Sequence, residues 1–254
     1  MSPARSVLVT GASRGIGRAI AVRFAAPGVL VLLHYGRDEA GVTETARLVA
    51  ERGAAAVILR ADITDLEEVG RLADEVVAHL RERGADGLDV LVNNAGVGGG
   101  GSIRTVEPDV FDRILATNVR GPFFLTRRLV DTLRDDGRVV NTSSVVSFGA
   151  HPNSIAYALS KAAVNSFTKS LAGELAPRGI TVNAVAPGLT DTDFIAKLKE
   201  DPELYERFLS TVALGRLGRP EDPADVVFFL ASEAGGWITG EVIQATGGMH
   251  LVAL

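Results

Sequence analysis

The stretch "VLVTGASRGIGRAI" (7–20) sets an apolar run, three glycines and an amphipathic run in direct succession. Val7 to Val9 show no polar alternation, as expected of a strand covered on both faces. After Gly11, Gly15 and Gly17 the apolar residues recur at helical spacing. A glycine turn between a strand and a helix brings backbone N–H groups and a helix N-terminus to one point, which suits a pyrophosphate. The spacing is Gly-x-x-x-Gly-x-Gly rather than Gly-x-Gly-x-x-Gly. Taken alone, the turn also admits a plain strand-to-helix connection.

The same alternation continues along the chain. "SVLVT" (6–10), "VLVLL" (29–33), "AAVIL" (55–59), "LDVLVN" (88–93), "GRVVNTSS" (137–144), "ITVNAVA" (180–186) and "EVIQAT" (241–246) read as strands. Helical periodicity covers 15–26, 39–52, 65–83, 108–134, 154–177 and 221–232, with a further short helical region near 192–212. Strands alternating with helices predict an α/β class: a doubly wound Rossmann fold of about seven mostly parallel strands with helices on both faces. No linker or repeat divides residues 1–254, so one domain is expected.

Bulk composition narrows the partners. The 254 residues are 46% hydrophobic, enough for one large core. A net charge of −5 with both signs interspersed offers no basic stripe for nucleic acid or an acidic membrane. With no cysteine, disulfides and thiolate ligands are excluded, and His34, His79, His151 and His250 share no metal-ligand spacing. No catalytic metal is expected. The first residues lack the apolar length of a signal peptide, and no run approaches the ~18 residues of a membrane helix. The expectation is a soluble cytoplasmic protein that takes a small molecule.

Six motifs then occur in order: "TGASRGIG" (10–17), "NNAG" (93–96), Asn118 in "ATNVRG", Ser144 in "NTSSVVS", "YALSK" (157–161) and "PGLTDT" (187–192). Together they resemble the short-chain dehydrogenase/reductase family over nearly the whole chain, and within it the 3-oxoacyl-(acyl-carrier-protein) reductase type. The resemblance implies a dinucleotide held by Gly11, Ser13, Arg14, Gly15, Ile16 and Gly17. Asp62 and Ile63 would lie at the adenine, with Asn94, Ala95 and Gly96 leaving room for the cofactor. Pro187, Gly188, Leu189, Thr190 and Thr192 would serve the carboxamide and a phosphate. It also implies an Asn118–Ser144–Tyr157–Lys161 tetrad, with Asn118 holding a water that links Lys161 to solvent and with Tyr157 and Lys161 also contacting the cofactor. Homotetramers pairing 108–134 and 154–177 are usual for the family.

The second strand decides which dinucleotide. An NAD enzyme ends it with an acidic residue for the ribose 2′-OH, whereas cations there suit a 2′-phosphate. Here "HYGRD" (34–38) supplies Tyr35 and Arg37, and Arg14 can aim at the same phosphate. The expected cofactor is NADP(H), although Asp38 could turn inward and the arginines could be plain surface charges. A plain helix cap is the other reading of Asp62.

Tyr157 and Lys161, four apart, project from one helix face. Ketone reduction leaves an alkoxide that needs a proton, and a phenol with pKa near 10 is a slow donor at neutral pH. A neighbouring ammonium is expected to lower that pKa. The resemblance gives Ser144 the substrate carbonyl; Ser143 is its rival, pointing to the opposite side of the strand end. Asn118 also reads as a satisfied polar residue beside the helix-weakening Gly121-Pro122.

The substrate is expected to be a small-molecule ketone or secondary alcohol, with a β-ketoacyl thioester among the candidates. The lining would come from 145–156 and from a mobile lid at 190–218, through Val145, Phe148, Ile155, Phe194 and Leu198. Asp131 and Gly173 stand where the reductase type would place arginines for an acidic carrier protein, with Arg120, Arg127 and Arg128 as substitutes. An NAD-dependent alcohol or sugar dehydrogenase and a non-catalytic dinucleotide sensor remain the alternative readings.

Overall fold

The computed structural model describes residues 4–249 and 251; the side chains of Lys197 and Lys199 are not described. His250, one of the four histidines without metal-ligand spacing, lies outside the described residues. Strands β1 (Arg5–Val9), β2 (Val29–Tyr35), β3 (Ala55–Arg60), β4 (Leu88–Asn93), β5 (Leu133–Thr142), β6 (Thr181–Pro187) and β7 (Val242–Ala245) form one sheet. Its order is β3-β2-β1-β4-β5-β6-β7, and every pairing is parallel.

Strand side chains alternate between two buried layers, which is why the strand sequences look continuously apolar. Leu8, Leu30, Leu32 and Leu91 face one layer with helices α3 (Leu66–Glu82), α5 (Gly121–Leu129) and α6 (Ile155–Leu175). Val7, Val9, Val31 and Leu33 face the other, with α1 (Gly15–Phe24), α2 (Glu39–Glu51) and α9 (Glu221–Ala231). Winding reverses between β1 and its neighbour β4, so the loops leaving these two strands diverge and open a crevice.

The helix expected over 108–134 is divided. α4 (Pro108–Leu115) runs into a π-helical turn (Ala116–Arg120) and then α5, because Pro122 cannot donate its backbone hydrogen bond and Gly121 lies against Ile63. Residues from Leu133, expected as helix, already belong to β5. Between Leu88 and Val90 the β4–β5 register shifts, and Asp136 adopts φ 59°. This irregularity absorbs "RDDG" into the strand. The region near 192–212 contains a 3-10 turn (Asp193–Ile195), α7 (Ala196–Lys199) and α8 (Pro202–Leu209). Among the described residues no helix is long and apolar enough to cross a membrane.

Candidate active site

The two diverging loops are stitched together by Thr10 and Asn94. Thr10 Oγ1 accepts from Asn94 N at 2.9 Å and Ala95 N at 3.0 Å, while Asn94 Nδ2 donates to Thr10 O at 2.9 Å. Gly11 has φ +65°, and a Cβ on Gly17 would lie 2.1 Å from the Gly11 carbonyl oxygen, so neither position admits a side chain. Arg14 is the N-cap of α1 yet makes no side-chain cap bond, and the first turn holds no acidic residue. By contrast, Asp38 caps α2 and Asp65 caps α3. The first N–H groups of α1 thus have no side-chain partner. Thr192 closes over this turn, its Cγ2 3.1 Å from where a Gly15 Cβ would be.

At the end of β2, the Asp38 carboxylate accepts from Gly41 N at 2.9 Å and is committed to capping rather than turned to a ribose. Arg37 is exposed, whereas Arg14 pairs with Asp193 at 2.8 Å. Tyr35 and Ile63 are both 6% exposed, with side chains in the core. Ile16 packs against that core and Ser13 offers its carbonyl to Arg18. Asp62 accepts from Thr64 N at 2.9 Å and Thr64 Oγ1 at 2.7 Å. These bonds, with Arg37, hold its carboxyl below the usual range. The cap of α3 is Asp65, so Asp62 is not its N-cap.

Past the sheet's other half, Pro187 ends β6 and Gly188 N donates to Ala245 O at 3.1 Å. Thr190 is buried, its Oγ1 donating to Gly188 O at 3.1 Å. Asn93 Nδ2 donates to Thr126 Oγ1 at 3.0 Å and Asn141 Oδ1 at 2.9 Å, tying β4 to α5 and β5.

Tyr157 and Lys161 stand on the first turns of α6. Ser144 lies close enough to the Tyr157 hydroxyl to favour its ionised form, while Ser143 Oγ donates to Asn165 Oδ1 at 2.5 Å on the other side. Lys161 Nζ donates to Thr142 O at 2.7 Å and lies 5.8 Å from the Tyr157 ring centroid. Asn118, in the π turn, exchanges two bonds with Val97 (N–H to Oδ1 2.8 Å, Nδ2–H to O 2.9 Å) and donates to Ser160 Oγ at 2.9 Å. A methyl at Gly96 would lie 3.3 Å from Asn118 Oδ1 and 3.5 Å from Lys161 Nζ, so these groups meet at one place. Phe194 reaches the site from the 190–218 segment, its ring centroid 5.7 Å from that of Tyr157. Phe148 and Phe194 are exposed, whereas Val145 is buried.

The electrostatics depart from the expected tuning. Burial pushes the Tyr157 phenol up to about 12, opposed by the Ser144 hydrogen bond, and Lys161 takes no part in that shift. Burial also brings the Lys161 ammonium down to about 8. The amine is bound to the Thr142 carbonyl, and loss of solvation sets the direction of both shifts. Sequence reasoning missed His34, Ser160 and Asn141, all buried and hydrogen-bonded here. The available signal was a polar residue inside an otherwise apolar strand, as in "VLVLLHY" (29–35) and "RVVN" (138–141).

Known proteins share this architecture. The family model described as "Enoyl-(Acyl carrier protein) reductase" matches residues 11–250. A 3-oxoacyl-[acyl-carrier-protein] reductase (FabG) of Staphylococcus aureus is 38% identical over 99% of this chain and 100% of its own. The 3beta-hydroxysteroid dehydrogenase 1 of Eggerthella lenta is 37% identical over 97% of this chain and 94% of its own. Among solved structures, the angucycline C-6 ketoreductase LanV with bound NADP superposes with a TM-score of 0.92 at 39% identity, covering 98% of this chain and 97% of that one. The chain belongs to the short-chain dehydrogenase/reductase family of oxidoreductases.

Proposed function

We propose that the protein reduces a small-molecule ketone with NADPH, or oxidises the corresponding secondary alcohol, with Tyr157 as proton donor. The observation that carries this reading is the convergence of Ser144, Tyr157, Lys161 and Asn118 beside a glycine turn whose helix N-terminus no side chain caps. LanV, solved with NADP, and a FabG relative support the cofactor and the reaction class. Capping by Asp38 removes the carboxylate that would repel a 2′-phosphate, and Arg37 with Arg14 supplies cations for it.

The turn Gly11–Gly17 would hold the pyrophosphate, Asp62 and Ile63 the adenine, and Asn94–Gly96, Pro187, Gly188, Thr190 and Thr192 the nicotinamide half. When bound, the dihydronicotinamide supplies the hydride. Ser144 and the Tyr157 hydroxyl donate hydrogen bonds to the substrate carbonyl oxygen, and these strengthen as negative charge grows there. With its pKa near 12, Tyr157 stays protonated throughout the neutral range and gives its proton to the alkoxide. Lys161 places a buried positive charge below the site, and Asn118 fixes the loop at Val97 beside it.

The segment 190–218 serves as a substrate lid on one catalytic domain, and the protein works as a cytoplasmic homotetramer. Of the cations that could receive an acidic carrier protein, Arg127 and Arg128 stay exposed on α5 and Arg120 does not stay free. Arg120 is occupied with the Thr64 carbonyl, and Gly173, where an arginine would dock, has only open space beside it. A free ring ketone or free thioester suits the site better. The test follows NADPH absorbance over a ketone panel that includes an acetoacetyl thioester, with NADH in parallel. Tyr157→Phe is expected to lose at least about a hundredfold in turnover while binding NADPH as before. Near-normal turnover would remove Tyr157 as the acid, and tight NADPH binding without turnover of any ketone would favour the sensor reading.

A further inference from the structure

His34 is the penultimate residue of β2 and 2% exposed, a polar side chain in a strand whose neighbours Leu32 and Leu33 are wholly buried. Its ring spans two loops. Gly11 N donates to Nδ1 at 3.3 Å, and Nε2 lies 3.0 Å from the Ala61 carbonyl oxygen. A carbonyl only accepts and a backbone N–H only donates, so the ring must be neutral with its proton on Nε2. Its backbone joins in: the His34 carbonyl takes the N–H of Ala12 at 2.9 Å, and the next carbonyl, of Tyr35, takes that of Ala61 at 3.1 Å.

One residue therefore fastens the first two amides of the glycine turn, after β1, to the residue preceding Asp62, after β3. The Gly11 amide is spent on the imidazole and is not free for a phosphate. Gly11 itself has no slack, because a Cβ there would already meet Ala95 Cα at 2.9 Å. Protonation would set N–H against N–H at Gly11 and bury a charge. Burial accordingly holds the ring down to about 4, opposed first by the hydrogen bond to the Ala61 carbonyl and then by Asp62 at the exit of β3.

We infer that His34 is a positioning residue for the dinucleotide: its neutral ring sets the spacing between the pyrophosphate turn and the adenine-side loop at Asp62. The inference rests on the reading that NADPH binds at that turn. It touches neither the reacting atoms nor the tetrad, so its loss should appear in cofactor affinity and not in the chemical step.

The test measures NADPH dissociation constants by fluorescence titration, together with KM for NADPH and kcat at saturating cofactor. His34→Leu, close in volume but without either bond, is expected to weaken NADPH binding about tenfold and raise KM in step, with kcat within about threefold. His34→Asn, whose amide oxygen lies where Nδ1 does, should recover most of the loss. His34→Gln, which reaches Ala61 but not Gly11, should bind less well than Asn. Unchanged affinity in a cooperatively melting His34→Leu protein, or a fall in kcat with affinity intact, overturns the inference. If His34→Leu does not fold, the order wild type, Asn, Gln decides, and equal affinities overturn it. A wild-type protein that binds no NADPH would overturn the cofactor reading itself, a result separate from any difference among the variants.

Discussion

Lys161 and His34 are buried titratable groups with opposite uses of their burial. Lys161 loses solvation and comes down to about 8, so its positive charge is present at neutral pH and fades above that value. Ketone reduction is therefore expected to fall on the alkaline side with an apparent pKa near 8, read from kcat/KM against pH. A profile flat to pH 10 would show that the charge on this amine is not needed. His34 is depressed from 6.5 to about 4, so the folded state refuses a proton that the unfolded chain accepts. Its contribution to stability is complete above pH 6.5 and is lost as pH falls through about 4. Between pH 7 and pH 5 the unfolding free energy of wild type, read by denaturant titration, should fall by about 2 kcal/mol more than that of His34→Asn. At this scale the Tyr157–Lys161 spacing and the glycines were legible in the residue string, because local geometry alone relates them. The direction of the Tyr157 shift was not, since it depends on how much protein surrounds the hydroxyl.

Elements meet at the site through short, irregular pieces. The π turn at Ala116–Arg120 turns Asn118 inward to Val97 and Ser160, which an uninterrupted helix over 108–134 would not have done. Gly121-Pro122 announced a weakness there, but only packing against Ile63 selects the turn. On the opposite side, the 3-10 turn Asp193–Ile195 holds Asp193 on Arg14 and Phe194 over Tyr157. On the proposed NADPH reading, Asp193 competes with the 2′-phosphate for Arg14. Because the pair is exposed, the competition is worth at most about 1 kcal/mol. Asp193→Asn is expected to tighten NADPH binding up to about fivefold and to leave NADH affinity unchanged; equal effects on the two cofactors would show that Arg14 does not read the 2′-phosphate.

Among the described residues, large exposed apolar side chains occur along the 190–218 segment and also at Phe123 on α5, Leu159 on α6 and Trp237. Phe123 is 44% exposed and its ring lies 5.3 Å from those of Phe124 and Phe167, while Trp237 is fully exposed near the edge strand β7. If these faces pair four subunits, Phe123→Asp should shift the protein to a smaller species on size-exclusion chromatography, and an unchanged elution volume would place the contact elsewhere. The alternation of apolar strands and amphipathic helices determined the class of fold from sequence alone, because burial on both faces of a parallel sheet leaves no other pattern. The order of the motifs and the absence of cysteine were equally legible there. The tertiary structure alone decided that Asp38 caps a helix, that burial raises the Tyr157 phenol, and that His34 bridges β1 to β3. These depend on side chains brought together from distant parts of the chain, where hydrogen-bond direction and loss of solvent, neither written in residue spacing, set the outcome.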